Sequence, residues 1–358
     1  MRKFRFVIVR SGSTMGFAGK FLYWSGGAVL LVFIVAVFLP SSAHVERSVS
    51  IDAHAATIFA LLNDFEQVNK WSPWADTDPN ARFDVTGPAR GVGAAIRWEG
   101  SIIGHGAQTI IESVPFERVV SRLDLSNRGE AIATFTLSEN AAGTQVNWAF
   151  DSEFGLNLLA RYIGLMLDGV VGSDYEKGLL NLKTMAESLP RADFSAVEIE
   201  HIIVEASDIA YLTTTSIPEP AAIAEATGNA YFNILSFIDD HGLQEAGAPI
   251  IISRGFSGAK IRFDAGIPVR GISAQTPGSV DLVKLGSTYA GAVIRVKHVG
   301  SYSSLGQTHG KIAAYLAALG IERNGDAWES YLSDPTRTAE SDLITYVYYP
   351  VRHDRELR

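Results

Sequence analysis

The C-terminal half of the sequence contains an internal repeat, and this repeat constrains the fold more than any other feature. Two helical segments with apolar stripes end in Gly242 and Gly320, which lie 78 residues apart. Further along, IPV at 267–269 matches YPV at 349–351 with an offset of 82 residues. A recurrence of this size indicates two copies of one supersecondary unit. We therefore predict an α+β region of two strand–helix–strand–strand units with pseudo-twofold symmetry.

Such a pair of units predicts helices on one face of the sheet and a cleft between the halves. Clefts at internal interfaces are common ligand sites. Period-two alternation places Glu329 and Tyr331 on one strand face, and Tyr346 and Tyr348 on one face of a later strand. A carboxylate ringed by tyrosines attracts an organic cation by charge and by cation–π contact, worth ~0.5–2 kcal/mol per ring. The alternative is that Glu329 is a surface residue and that the tyrosines pack the sheet.

Five segments of residues 194–351 carry a family resemblance: GAPIII, FDAGIPV, RVKHVGSYSSLGQTHGKIAAYLAALG, WESYLSDP and ITYVYYPV. They resemble the gyrase-inhibitor-like (GyrI-like) or AraC-type effector-binding domain. The resemblance implies a cleft that binds small molecules, often cationic amphiphiles, through a central carboxylate and surrounding aromatic residues. The ligand-binding positions that it implies here are Glu329, Tyr331, Tyr302, Phe232 and Tyr348.

Residues 44–189 are predicted to form a separate domain: a strand, two short helices, a strand meander and a long C-terminal helix that breaks near Gly169–Gly172. The segments TIFALLNDFEQVNKWSPW, RWEG, VPFERVVSRL and DYEKGLLNLKTMAE resemble the polyketide cyclase/dehydrase and START-like (SRPBCC, helix-grip) superfamily. This resemblance implies a cavity for a hydrophobic small molecule or lipid, without implying a reaction. We expect the tryptophans of this domain to form its core or its cavity wall.

The N-terminal region predicts a membrane anchor. Residues 1–20 are a basic leader without acidic residues, and residues 21–39 form an uncharged run of nineteen residues that ends before Pro40. As a helix this run is ~28 Å long, close to the ~30 Å hydrocarbon core of a bilayer. We therefore predict a single transmembrane helix over residues 21–40 in a bacterial inner membrane, with the following domains on the periplasmic side. A cleaved signal peptide is the alternative.

Composition excludes several classes of site. The chain has no cysteine, which removes disulfides, Cys-ligated zinc, iron–sulfur clusters and thiol nucleophiles. Its net charge of −9 divides into +5 over residues 1–45 and −14 over the remainder, so we expect no nucleic-acid partner. The eight histidines show no metal-ligand spacing, and we expect no metal and no cofactor. His298 and His309 flank the Tyr302 loop; we expect packing or solvent exposure for them, with a position lining the cleft as the alternative.

Taken together, the sequence predicts a membrane-anchored protein that captures or senses a hydrophobic or cationic amphiphilic molecule, with a pocket in each domain. No catalytic residue is assigned. Two alternatives remain: a hydrolase of the GyrI-like type or a cyclase, with Glu329 and Tyr331 as the reacting pair in the hydrolase, or a lipid carrier acting through the helix-grip domain.

Overall fold

A computed structural model of the chain describes residues 17–126 and 129–352, without the side chains of residues 17–23, 26 and 29. Residues 1–16 of the predicted leader thus lie outside the described residues. The described part begins with helix α1, Phe17–Phe38. Within these residues, no helix combines the length and the hydropathy that crossing a membrane requires. The transmembrane segment predicted over residues 21–40 is therefore not confirmed.

The N-terminal domain is a seven-stranded antiparallel sheet with strand order β1-β7-β6-β5-β4-β3-β2. Its strands are β1 (Ser42–Ile51), β2 (Arg82–Thr86), β3 (Ala95–Gly100), β4 (Gly104–Val114), β5 (Arg118–Asp124), β6 (Glu130–Asn140) and β7 (Gly143–Glu153). Its helices are α2 (Ala55–Leu62), α3 (Phe65–Trp71), α4 (Pro73–Thr77), α5 (Leu158–Gly164) and α6 (Leu167–Glu187). The predicted order of elements is present, with α4 as an additional short helix.

Aromatic side chains fill the space between this sheet and helix α6. Tyr175 of α6 stacks on Trp148 of β7, with ring centroids 3.6 Å apart, and Trp148 also stacks on Phe135. Trp71 and Trp74 meet Trp148 edge-on. The cavity that remains beside them measures only about 10 Å³, which is room for roughly one water molecule. The domain's own aromatic side chains thus fill this part of the space in which the resemblance implied a ligand cavity.

The break in the C-terminal helix lies earlier than the sequence suggested. Helix α5 ends at Gly164 and α6 begins at Leu167, so Gly169 and Gly172 lie inside α6. A Cβ at Gly172 would stand 2.2 Å from Nη2 of Arg47, so the end of that flexible side chain would have to move. Without that Cβ, Arg47 can lie across α6 and bind two of its carboxylates. The glycine therefore allows a close side-chain approach and does not break the helix.

The end of α1 is held by α5. Arg161 donates from Nη1 to the carbonyl oxygens of Ala36, Val37 and Leu39 at 3.0 to 3.3 Å. The last carbonyls of a helix lack partners within the helix, and a cation there is favourable. Beside this contact Ala36 is buried, whereas other apolar side chains of α1 are exposed, among them Phe38 at 84%.

The C-terminal domain has ten strands in one antiparallel sheet, with β13-β14-β9-β12-β11-β16-β17-β15-β8 as the main order and β10 paired to β12. Its strands are β8 (Ile199–Val204), β9 (Asp208–Ser216), β10 (Gln244–Glu245), β11 (Ile250–Ser257), β12 (Lys260–Arg270), β13 (Ser279–Val280), β14 (Val283–Ser287), β15 (Gly291–Val299), β16 (Trp328–Tyr331) and β17 (Ile344–Pro350). Its helices are α7 (Pro220–Asp240) and α8 (Leu305–Leu319).

The predicted duplication is visible in this topology. The unit β9-α7-β11-β12 recurs as β15-α8-β16-β17, and the two units meet at the central pair β11–β16. The units also meet along a second contact. Strands β8 and β9 follow each other with only residues 205–207 between them, and β14 and β15 with only residues 288–290 between them. The pairing of β14 with β9 continues in the same register as the pairing of β15 with β8. These four strands therefore form one long two-stranded ribbon to which both units contribute.

Helix α8 also joins the two domains. Its residues Ala314 and Ala318 are fully buried and pack against Ala56 and Ala60 of α2. Small side chains on both helices allow their backbones to approach closely. Gln67 of α3 adds a hydrogen bond from Nε2 to the carbonyl oxygen of Leu319, at 2.8 Å. The other side of α8 packs on the C-terminal sheet through Ile312 and Leu316.

We expect Ala318→Leu to destabilise the protein by about 1–3 kcal/mol, because the added methylene groups must force α2 and α8 apart. The matched control is Ala313→Leu, which adds the same volume to an exposed position of the same helix and should change stability by less than ~0.5 kcal/mol. Chemical denaturation of both variants measures the difference, and equal effects would contradict the packing described.

A second expectation concerns the filled core of the N-terminal domain. Trp148→Ala should lower stability by ~3–5 kcal/mol, because Trp148 touches four other aromatic rings and its loss leaves a large cavity. Trp98→Ala is the control, since Trp98 is only half-buried at the sheet surface. Thermal unfolding compares the variants. A small loss in Trp148→Ala would mean that this core is loosely packed.

Candidate ligand-binding site

The site is built around a carboxylate in the middle of an apolar sheet face. Residues directly opposite each other in antiparallel strands share a face, and one such row crosses the C-terminal sheet: Leu212, Ala265, Ile251, Glu329, Val347 and Val296. At one end of the row, Leu212 and Ala265 belong to the core beneath α7. At the other, Val347 and Val296 belong to the separate core beneath α8. Glu329 thus lies between the two helices, close to the pseudo-twofold axis.

The duplication is asymmetric at this point. Ile251 pairs with Ala265 on one side of the central strands, and Glu329 pairs with Val347 on the other. Ala265 and Val347 are 82 residues apart, which is the offset of the repeat. Ile251 is therefore the repeat counterpart of Glu329, and only one of the two units places a carboxylate at the centre of the face.

Both carboxylate oxygens of Glu329 have hydrogen-bond partners. The Oε1 atom lies 2.7 Å from Nε2 of His309, and Oε2 accepts from the hydroxyl of Tyr331. On its other side, the His309 ring contacts the Tyr349 hydroxyl through Nδ1 at 2.8 Å. The Glu329 side chain is 18% exposed and that of His309 is 28% exposed. The carboxylate is thus largely desolvated, yet it remains reachable from solvent.

Four phenols surround this carboxylate, and the environment keeps them protonated. Burial, followed by the charge of Glu329, raises the pKa of Tyr331 and of Tyr231, a residue of α7. Burial also raises the pKa of Tyr302 and of Tyr349. Tyr302 contacts Tyr331 edge to face, at 5.2 Å between centroids. At physiological pH these residues therefore act as hydroxyl donors and aromatic surfaces, and Tyr331 is a donor to Glu329 rather than a base.

Glu329, Tyr331 and Tyr302 are brought together as the sequence predicted, whereas Phe232 and Tyr348 are not. Phe232 is 72% exposed on the outer side of α7. Tyr348 stacks on Trp328, with centroids 4.7 Å apart, on the opposite face of the sheet from Glu329. In both cases the neighbouring residue, Tyr231 or Tyr349, occupies the site. A shift of one residue turns a side chain by about 100° on a helix and to the other face on a strand.

For His309 the structure shows the alternative, a position in the site, because its ring contacts Glu329 directly. The available signal was helical spacing, because His309 precedes the buried Ile312 by three residues and Leu316 by seven and so lies on the inner side of α8. His298 is buried as expected, with its ring nitrogens bonded to Thr308 and to the carbonyl oxygen of Ser301. Across residues 17–126 and 129–352, no group of three or more acidic or histidine side chains is placed to hold a metal ion.

Two family models match the sequence. Residues 42–187 match polyketide cyclase / dehydrase and lipid transport, and residues 257–352 match the GyrI-like small molecule binding domain. The second match begins at the last residue of β11, so it covers the unit that carries Glu329 and leaves β8, β9, α7, β10 and the rest of β11 outside. No match was found among curated proteins.

Several solved structures are similar at low identity. The crystal structure of the EcmrR C-terminal domain is 12% identical, covers 44% of this chain and 99% of its own, and has a TM-score of 0.37. An EcmrR–DNA complex solved by cryo-EM is 11% identical, with coverages of 56% and 73% and a TM-score of 0.39. The Aha1 dimer from Colwellia psychrerythraea is 18% identical, with coverages of 40% and 97% and a TM-score of 0.30. At these scores none of them bears on the function.

The family matches agree with the resemblances found in the sequence and give the same order along the chain. The prediction is therefore confirmed: the chain carries the pattern of a polyketide cyclase/dehydrase and lipid-transport domain, followed by that of a GyrI-like small-molecule-binding domain.

Proposed function

We propose that this protein binds a hydrophobic or cationic amphiphilic small molecule in its C-terminal domain, at Glu329. The observation that carries the proposal is the position of this carboxylate within an otherwise apolar row of the sheet, between α7 and α8. Removing a carboxylate from water costs free energy unless its charge is paired or hydrogen-bonded. The phenols around it offer aromatic faces and hydroxyl groups, both of which suit an organic cation with apolar substituents.

The N-terminal domain has a different part in this proposal. Its core is filled by Trp71, Trp74, Trp148 and Tyr175, so a lipid could enter only after several aromatic side chains had moved. Ligand binding is therefore assigned to the C-terminal domain, and the N-terminal domain serves as its packing partner through α2 and α8. Transfer of a fluorescent lipid between liposomes by the whole protein would favour the lipid-carrier alternative instead.

The test uses tetraphenylphosphonium, a permanently charged cation with apolar substituents, and isothermal titration calorimetry. We expect Glu329→Gln to weaken its binding at least tenfold, because the shape of the side chain is kept while the negative charge is lost. Glu205→Gln is the control, since it removes the same charge from an exposed loop and should leave the affinity unchanged.

Two results would contradict the proposal. Equal binding by the wild type and Glu329→Gln would remove Glu329 from the site. Absence of binding by the wild type, combined with hydrolysis of ester or amide substrates that Glu329→Gln abolishes, would favour the hydrolase alternative. In that case Glu329 would have to exchange the Tyr331 or His309 hydrogen bond for a bond to water or substrate.

A membrane location is also part of the proposal, and it rests on the uncharged run of residues 21–39. Further support comes from exposed apolar side chains on α5 and its flanking turns, beside the end of α1: Leu156, Leu159, Ile163, Leu165 and Met166. Such a surface favours contact with lipid.

We expect the full chain to sediment with membranes and to resist extraction by alkaline carbonate, whereas residues 41–358 should remain in the supernatant. Alkaline phosphatase fused after residue 358 should be active if the domains are periplasmic. Complete release of the full chain by carbonate would rule out the anchor.

A further inference from the structure

His309 contacts the same carboxylate that the proposed cation would bind. Its Nε2 lies 2.7 Å from Oε1 of Glu329, while the second carboxylate oxygen is bonded to Tyr331. Building on the proposed function above, we infer that protonation of His309 and binding of the cation exclude each other. The protein therefore releases a proton when it binds an organic cation, and it binds the cation more weakly in acid.

The hydrogen-bond chain identifies the form of His309 that leaves the site negative. An ionised carboxylate can only accept hydrogen bonds, so Nε2 must carry a hydrogen. The Tyr349 hydroxyl can then donate to Nδ1, because its ring remains a neutral phenol. This arrangement satisfies both ring nitrogens with an uncharged imidazole. The pair of His309 and Glu329 then has a net charge of −1.

Protonation of His309 keeps the same contacts but changes the charge of the pair to zero. Nδ1 then donates to the Tyr349 oxygen, and Nε2 still donates to Glu329. A cationic ligand would meet a neutralised carboxylate with a positive charge beside it. In a partly desolvated site, this like-charge repulsion is large compared with its value in water. The neutral imidazole is therefore the form that can bind the ligand.

Among residues 17–126 and 129–352, His309 is the basic side chain that contacts Glu329. The charged or titratable side chains around the cluster are Glu329 and Tyr331 on β16, Tyr349 on β17 with Arg323 over its ring, Tyr231 on α7, Tyr302 after β15, and Asp334, which acts on Tyr302. The phenols stay neutral across the physiological range. Between pH 5.5 and 8, an imidazole is the group of this set that changes charge most readily.

The sign and size of the effect follow from linkage. If only the neutral form binds the cation, lowering the pH into the range where His309 is protonated weakens binding, with a limit of tenfold per pH unit. At that limit one proton is released for each cation bound. If His309 is neutral before the cation binds, the affinity is independent of pH and no proton is released.

The experiment measures tetraphenylphosphonium affinity by calorimetry from pH 5.5 to 8, in buffers of different ionisation enthalpy that report proton release. The wild type should lose affinity toward pH 5.5 and release up to one proton per cation. The affinity of His309→Gln should not change between pH 5.5 and 8, because the amide donates to Glu329 and accepts from Tyr349 without a titratable charge. His241→Gln is the control, since His241 lies at the end of α7, and it should behave like the wild type.

The possible results are distinct. Wild-type binding that does not vary with pH would overturn this inference and leave the proposed function standing. An equal pH dependence in the wild type and His309→Gln would assign the proton to another group and would also overturn it. Absence of binding by the wild type, His309→Gln and His241→Gln at every pH would reject both the inference and the proposed function.

Discussion

The packing of helix α8 is the constraint on which the rest of the structure depends. One side of α8 covers the C-terminal sheet through Ile312 and Leu316, and the other contacts α2 through Ala314 and Ala318. The same helix carries His309 to the carboxylate of Glu329. A rotation or shift of α8 would therefore disturb the domain interface and the site together.

The asymmetry of the duplicated unit explains how a symmetric fold holds a single charge. Where one unit has Glu329, the other has Ile251, so the centre of the face carries one carboxylate and an apolar neighbour. Two carboxylates at this position would repel each other and raise the desolvation cost. With Glu329 in one unit and Ile251 in the other, this face of the sheet carries one charged group within an apolar surface. An amphiphile has the same combination of a polar group and apolar surface.

The sequence predicted the main architecture because periodicity and glycine positions report on local structure. The duplicated units, their helices and the shared face of Glu329 and Tyr331 follow from periods of 3.6 and 2 residues. Phe232 and Tyr348 were misplaced because the rotation of α7 and the facing of β17 depend on packing against distant elements. A one-residue error in either element reverses the assignment.

Two other features could not be obtained from local patterns. The N-terminal cavity is filled because Tyr175 and Trp148, 27 positions apart in the chain, stack on each other. Such a contact leaves no trace in periodicity. Gly172 looked like a helix break, whereas its lack of a side chain makes room for Arg47, which is far away in sequence. In both cases the deciding partner belongs to another element of the fold.

The ribbon of β8, β9, β14 and β15 has a consequence for the boundaries of the C-terminal domain. Each unit contributes one side of this ribbon, so neither unit retains a complete set of strand partners when the other is removed. A fragment that starts at residue 257, where the family match begins, would lack β8 to β10, α7 and all but the last residue of β11, and would expose the edges of β12, β14, β15 and β16. Unpaired edges of this kind promote aggregation. The repeated element is therefore half a domain, and both copies are needed to give these strands their partners.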